Sequence, residues 1–130
     1  MTTEALTQQK SALLIEELHG RAWRNNSGAY QDEHGNFVRY GLNNESKKIN
    51  EKVKSSDLIC IVPTLITPQM VGYHLGVFTA LEIKRPGWKL LPSDKRGEAQ
   101  ARFHQIVRNA CGFAGFVTHT DDVLRIIGRG

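Results

Sequence analysis

The sequence has few of the features that mark secreted, fibrous or membrane-embedded proteins. It contains two cysteines and four prolines, and its longest apolar run, from Leu58 to Val62, is only five residues long. Such a run is far too short to cross a bilayer. Cys60 and Cys111 lie inside hydrophobic patterns, which favours reduced thiols over a disulfide framework. With no signal-peptide pattern at the N-terminus either, we expect a cytoplasmic protein without a membrane partner.

Length and composition are those of one small globular unit. The chain has 130 residues, of which 40% are hydrophobic and 23% charged, close to ordinary globular usage. It contains no repeat and no low-complexity tract. A second domain would leave neither half enough interior for a stable core. We therefore predict a single domain over residues 1–130.

Basic residues exceed acidic ones and are clustered. The net charge is +4, with seven basic and two acidic residues between Lys84 and Arg108 and four basic and one acidic residue between Lys47 and Lys54. This balance favours an anionic partner, but charge alone does not separate nucleic acid from a membrane surface. Composition by itself leaves a binding surface and an ordinary solvated face equally open.

The first half of the chain predicts a helix followed by short strands. Leucines recur at helical spacing over residues 3–19, where Thr3 is the expected cap and Gly20 the expected stop. Residues 21–40 contain Asn-Ser-Gly and His-Gly-Asn breaks, which are typical of an antiparallel hairpin or meander. Residues 41–55 are polar and rich in lysine, so we expect a loop there.

The second half predicts strands that alternate with helices. Residues 57–62 and 77–84 have strand patterns, and a helix follows from Glu98, with Gly112 as its expected stop. Residues 113–118 predict another strand, and Thr120-Asp121-Asp122 is the expected cap of a last helix. The order helix, hairpin, strand, strand, helix, strand, helix predicts a mixed α/β fold, with a central mixed sheet flanked by helices.

Two charged residues interrupt the strand over residues 77–84. Alternation places Glu82 and Lys84 on the same face, about 7 Å apart at the usual rise per residue. Asp57 opens the preceding strand, so if the two strands pair, two carboxylates and an ammonium converge at one edge, where a divalent cation would offset the carboxylate charges. The alternative is a weak surface ion pair. Spacing alone favours that alternative, whereas the apolar strand and the basic segment after it favour a site.

Together, these motifs resemble the VRR-NUC branch of the PD-(D/E)XK nucleases. The resemblance is carried by Gln100 with Phe103 and Gly112, by Glu4, and by three segments: Ser55-Ser56-Asp57-Leu58-Ile59, Arg24-Asn25-Asn26-Ser27-Gly28-Ala29 and Phe78-Thr79-Ala80-Leu81-Glu82-Ile83-Lys84-Arg85-Pro86-Gly87. It covers nearly the whole chain and is closest to small stand-alone phage and bacterial members. Two departures are visible: Ser56 stands where the superfamily has proline, and Cys111 stands where a Gly-Gly pair is common.

The resemblance implies a restriction-endonuclease-like core in the order α-β-β-β-α-β-α and a set of catalytic residues. Asp57 and Glu82 would hold a divalent metal together with the carbonyl of Ile83, and Lys84 would orient or activate the attacking water. All-oxygen ligation suits Mg²⁺ or Mn²⁺ better than Zn²⁺, and the histidines and cysteines show no zinc spacing. The resemblance adds Gln100 to the catalytic residues and Glu4 to the metal ligands. Gln100 capping a backbone group and Glu4 complementing the helix dipole remain open as alternatives.

The resemblance also implies branched DNA, such as four-way junctions, as substrate for a homodimer in a bacterial or phage-infected cell. A general repair or restriction-like nuclease, an inactive DNA-binding module and a protein-interaction adaptor remain alternatives. Trp88 suits stacking on an unpaired base, although packing within its own domain is more common. The residues expected to contact the DNA backbone are Arg24, Asn25, Asn26, Arg85, Lys89, Lys95 and Arg96.

Overall fold

The computed structural model describes residues 2–129 and confirms the mixed α/β class. The chain forms two compact units, the first ending at Cys60 and the second beginning at Ile61. The single domain over residues 1–130 stays a prediction. In the described residues the strands form three two-stranded sheets, which pair β1 (Arg21–Arg24) with β4 (Leu58–Ile61), β2 (Gly28–Gln31) with β3 (Phe37–Tyr40), and β5 (Thr79–Ile83) with β6 (Phe113–Val117). None of the helices described between residues 2 and 129 has the length and apolar character needed to cross a membrane.

The first unit begins with helix α1, Thr3–Glu17. Its cap is Thr2, whose hydroxyl accepts a hydrogen bond from the amide of Ala5 at 3.1 Å. The expected cap, Thr3, is instead the first helical residue. The chain turns out of the helix at His19, which adopts a left-handed conformation with φ of 67°, one residue before the expected stop at Gly20.

The predicted hairpin is present. Strands β2 and β3 are antiparallel, with Gly28 opposite Tyr40 and Gln31 opposite Phe37. The carboxylate of Asp32 accepts hydrogen bonds from the amides of His34 and Asn36 at 2.9 and 2.8 Å, which closes the turn. The segment over residues 41–55 is not entirely loop. It contains a short helix, α2 (Lys47–Asn50), capped by the hydroxyl of Ser46.

The second unit is built around a parallel strand-helix-strand motif. Strand β5 leads through a connection into helix α3 (Lys95–Asn109) and then into β6, which lies parallel to β5 with Thr79 opposite Phe113. A one-turn 3-10 helix, Pro68–Met70, precedes β5. A short helix, α4 (Thr120–Ile126), follows β6. The buried hydrophobic residues of the described chain all lie in this unit: Ile61, Val107, Ala110, Ala114 and Val117.

Three helix boundaries in this unit differ from the prediction, and the first is the start of α3 at Lys95, before the expected Glu98. The left-handed residue at the end of α3 is Cys111, with φ of 73°, and not Gly112. Gly112 is instead required by crowding, because a Cβ there would lie 2.8 Å from the carbonyl oxygen of Phe78 and 2.7 Å from the Ile61 side chain. Helix α4 is capped by His119, whose Nδ1 accepts from the amide of Asp121 at 3.1 Å.

Candidate active site

Glu82 in strand β5 and Lys84 just after it lie on one face, as the alternation predicted. Along β5, exposed residues alternate with half-buried ones, and Glu82 belongs to the half-buried set. Lys84 follows the strand and its amide donates to the carbonyl of Val117 at 2.8 Å, which extends the parallel ladder by one residue. The Lys84 ammonium lies 3.9 Å from Oε1 of Glu82. The backbone of β5 and β6 therefore fixes the spacing of this pair.

Gln100, in the second turn of α3, contacts Glu82 directly. Its Nε2 donates to Oε1 of Glu82 at 2.7 Å. Its own Oε1 is buried and has no hydrogen-bond partner among the residues that the structure describes. Exchanging the nitrogen and oxygen of the Gln100 amide would place its oxygen against the Glu82 carboxylate, where two acceptors repel each other. The contact with Glu82 therefore sets the orientation of this amide. A buried acceptor without a partner is uncommon in native proteins, and this one adjoins a carboxylate.

His104 is a residue of this site that the sequence did not single out. It is buried and lies edge-on to Phe116, with 4.7 Å between the ring centroids. Burial lowers the pKa of His104, and the Arg108 guanidinium lowers it further, while Glu82 opposes both effects. The imidazole is therefore neutral at neutral pH. The sequence does place His104 four residues after Gln100 on α3, and residues at that spacing share a helix face. This spacing could have indicated that His104 lies at the same site.

A shallow cleft of about 290 Å³ opens beside these groups. Glu82, Gln100 and His104 contribute one carboxylate, one amide and one neutral ring to its wall. Arg96, one of the residues expected to contact DNA, also lines it. The opening therefore carries one negative and one positive side chain beside two hydrogen-bonding groups.

The first unit brings together two other predicted ligands. Glu4, in the first turn of α1, and Asp57, just before β4, line one open cleft of about 790 Å³. Both residues are exposed. Within residues 2–129 neither carboxylate pairs with a cation or accepts a hydrogen bond. Two uncompensated carboxylates on one cleft are chemically suited to a hard divalent cation.

Asn25 fixes the backbone around Asp57. Its amide N–H donates to the carbonyl of Asp57 at 2.9 Å. Its side-chain Nδ2 donates to the hydroxyl of Ser55 at 2.8 Å and to the carbonyl of Ser56 at 2.7 Å. The side-chain donors of Asn25 are thus engaged inside the protein, and its contact with DNA stays a prediction.

The other residues expected to contact DNA are exposed and lie in both units. Arg24 ends β1, and Asn26 lies between β1 and β2. Arg85 and Lys89 lie in the connection after β5, whereas Lys95 begins α3. Trp88, in the same connection, is half-buried and packs on Phe116 with ring centroids 4.6 Å apart. The packing role left open for this tryptophan is therefore the observed one.

The predicted metal ligands are divided between the two units. In the part of the chain that the structure describes, no three His, Cys, Asp or Glu side chains cluster closely enough to hold a metal. Glu4 and Asp57 form one acidic pair in the first unit, and Glu82 lies with Gln100 and Lys84 in the second. Ile83, predicted to offer its carbonyl, is a largely exposed residue that retains 68% of its full accessible area.

Comparisons of the chain with protein-family models, with curated proteins and with solved structures found no match. The likeness to the VRR-NUC nucleases therefore depends on the motifs quoted above.

Proposed function

We propose that this protein is a metal-dependent DNA endonuclease of the PD-(D/E)XK kind, with the restriction-endonuclease-like core of the VRR-NUC branch. The observation that carries the proposal is the contact set in the second unit. Glu82 accepts a hydrogen bond from Gln100 and faces the ammonium of Lys84. A carboxylate, an unpartnered amide oxygen and a cation within one contact set are groups that phosphodiester hydrolysis needs next to the reacting phosphate.

The donor set fits Mg²⁺ or Mn²⁺. Asp57, Glu82, Glu4 and the carbonyl of Ile83 offer only oxygen atoms, which these hard cations prefer. The unpartnered Oε1 of Gln100 supplies another oxygen beside Glu82. When bound, the metal would supply Lewis-acid polarisation of the phosphoryl oxygen. The proposal assigns Asp57 and Glu82 as its main ligands, with Ile83 and Glu4 as further ones.

The residues of the chain supply the remaining chemistry. Gln100 orients the Glu82 carboxylate through its 2.7 Å hydrogen bond. Lys84 places a positive charge where negative charge develops on the phosphate, and its N–H donors can hold the attacking water. Exposed basic residues neutralise neighbouring phosphates, which makes affinity depend on salt. The basic residues assigned to this role are Arg24, Arg85, Lys89, Lys95 and Arg96, while Asn25 and Asn26 are assigned to hydrogen bonds with the DNA backbone.

The proposed substrate is branched DNA, such as a four-way junction, cut by a homodimer. A two-fold axis that relates two active sites would match the symmetry of the junction. A general repair or restriction-like nuclease would have the same catalytic groups and a different substrate preference. An inactive DNA-binding module would keep the affinity and lose the chemistry.

The test is a cleavage assay on labelled four-way junction, linear duplex and single-stranded DNA, each with Mg²⁺, Mn²⁺ or chelator. Wild type should cut only with metal and fastest on the junction. Lys84→Ala should reduce the rate on the order of 10²- to 10³-fold, as loss of one charge-stabilising group does. Lys10→Ala, which removes an exposed lysine from α1, is the matched control and should retain full activity.

Each alternative has its own outcome in this assay. Equal cutting of all three substrates would retain the chemistry and remove the junction preference. Salt-dependent binding without cutting would identify an inactive DNA-binding module. Failure to bind any DNA would reject the proposal altogether, because every version of it requires phosphate contacts.

A further inference from the structure

The environment of Lys84 is unusual for a lysine. Its side chain retains only 17% of its full exposure, whereas lysines generally extend their ammonium into water. The ammonium is 5.1 Å from the ring centroid of Trp88 and 5.9 Å from that of Phe116. Both distances lie within the range of cation-π attraction. Two aromatic rings and one carboxylate therefore surround this ammonium.

The two rings are held in place from several directions. Phe116 lies directly opposite Glu82 in the β5–β6 register, and the edge of His104 packs against it. Trp88 packs on Phe116 at an interplanar angle of 45°. The amide of Trp88 also donates to the carbonyl of Arg85 at 3.1 Å, which closes a turn just after Lys84. The rings consequently form a fixed wall for a flexible side chain.

The two aromatic rings leave the hydrogen-bond donors of the Lys84 ammonium available to a ligand. The 3.9 Å separation from Glu82 exceeds hydrogen-bond distance. Within residues 2–129, Lys84 Nζ makes no hydrogen bond. Ring faces attract a cation without occupying its N–H groups, whereas a second carboxylate in their place would accept one or more of them. All three donors of Lys84 therefore remain open to a phosphate or a water.

We infer that Trp88 and Phe116 are positioning residues, whose ring faces hold the Lys84 ammonium beside Glu82 while leaving its N–H donors free for substrate. The inference rests on the proposed function for its catalytic consequence. Its geometric part concerns only the second unit and does not depend on activity. Holding the Lys84 ammonium is a different role for Trp88 from stacking on an unpaired base.

The geometric part is tested by NMR on protein with ¹³C-labelled lysine. The ε-methylene signal of Lys84, identified by its loss in Lys84→Arg, should be shifted upfield by the ring currents and should show contacts to Trp88 ring protons. Trp88→Leu should move the signal back towards the value of an exposed lysine. Trp23→Phe, which changes the only other tryptophan, is the control and should leave it unchanged. A wild-type signal at the exposed-lysine position, without contacts to Trp88, would overturn the inference even if no Trp88 variant folds.

The catalytic part is tested by separating kcat from KM on the preferred DNA substrate. Trp88→Leu should lower kcat about 10- to 100-fold, because small displacements of a catalytic group have effects of this size, and should leave KM little changed. Trp88→Phe keeps a ring face and should restore most of kcat. A raised KM with normal kcat would instead assign Trp88 to DNA binding and reject positioning. If wild type shows the ring-current shift but cuts no DNA, the proposed function fails while the cation-π geometry stands.

Discussion

The two units differ in how their side chains are buried. In the described residues the buried hydrophobic side chains all come from the second unit, from Ile61 to Val117. The only buried residue described before Cys60 is Gly20. The leucines of α1 remain about half exposed, and Leu13 retains 54% of its full area. Hydrophobic packing thus stabilises the second unit, whereas the first depends more on hydrogen bonds between side chains and backbone.

The candidate acids differ in the same way. Glu82 is half-buried, accepts a hydrogen bond from Gln100 and faces Lys84. Asp57 is exposed, and only its backbone is fixed, by Asn25. A side chain held by neighbours is ready for chemistry before a ligand arrives, while an exposed one loses rotamer freedom on binding. In the proposed enzyme, Glu82 is therefore the preorganised ligand.

The largest effect expected from this comparison is on the core of the second unit. Val107 is completely buried, so Val107→Ala should lower the free energy of unfolding by about 2 kcal/mol through lost packing and a residual cavity. Leu13→Ala, the matched change in α1, should cost less than about 0.5 kcal/mol, as exposed substitutions usually do. Urea denaturation of both variants is the measurement. Equal losses would mean that α1 is buried in solution.

The next effect concerns the hydrogen bonds around Asp57. Asn25→Ala removes two side-chain hydrogen bonds and should lower the free energy of unfolding by about 1 to 2 kcal/mol. Asn26→Ala, next to it and exposed, should change stability by less than about 0.5 kcal/mol. Thermal denaturation and DNA affinity should be measured on both. Unchanged stability with weaker DNA binding for Asn25→Ala would mean that Asn25 acts on DNA and does not stabilise the backbone around Asp57.

A smaller effect, of opposite sign, is expected at the end of α3. Cys111 has a left-handed backbone, which costs about 1 to 2 kcal/mol for a residue with a Cβ. Glycine removes that cost but loses about 0.5 to 1 kcal/mol through the greater freedom of the unfolded chain. Cys111→Gly should therefore raise the free energy of unfolding by about 0.5 kcal/mol in a chemical melt. Cys111→Ala retains the Cβ and should give no gain; an equal gain would assign the effect to the thiol.

The smallest expected effect is a pH dependence confined to the second unit. Burial and Arg108 hold the pKa of His104 below its ordinary value of 6.5. As pH falls through 6.5 the unfolded chain takes up this proton first, so stability declines from there down through the lower pKa of the folded state. Urea midpoints between pH 8 and pH 5 should decline less in His104→Gln than in wild type. His34→Gln alters an exposed histidine and should follow wild type; a curve for His104→Gln as steep as wild type would contradict the assignment.

The spacing of hydrophobic residues predicted the helices and strands of the second unit well, but it predicted less well the residues at which they begin and end. The spacing of Phe103, Ile106, Val107 and Ala110 predicted α3, and alternation correctly placed Glu82 and Lys84 on one face. Helix ends depend on which neighbouring side chain reaches a free amide. Composition does not decide this, so Thr2 and His119 cap their helices where Thr3 and Thr120 were expected.

The tertiary contacts of the candidate site were beyond sequence reasoning. The bond between Gln100 and Glu82 spans 18 positions, and no local pattern encodes it; only the family resemblance pointed to Gln100. The burial of His104 depends on the ring of Phe116 from another element. The segment around Asn25 has the composition of a surface turn, yet the hydrogen-bond partners of Asn25, Ser55 and Ser56, lie 30 and 31 residues away in the sequence. A single sequence does not predict which polar residues, distant along the chain, hydrogen-bond to each other in such a site.

Because the surroundings of Gly112 are crowded, the small size of this glycine sets how closely the C-terminal end of α3 approaches β5. Roughly 15 Å of helix, at 1.5 Å per residue, separates Gln100 from the turn where Gly112 meets the Phe78 carbonyl and the side chain of Val107. Any larger residue at position 112 would push the C-terminal end of α3 away from β5. Because a helix is stiff, the tilt would also displace its N-terminal half, where Gln100 lies. The contact between Gln100 and Glu82 is therefore adjustable from a position that touches neither residue.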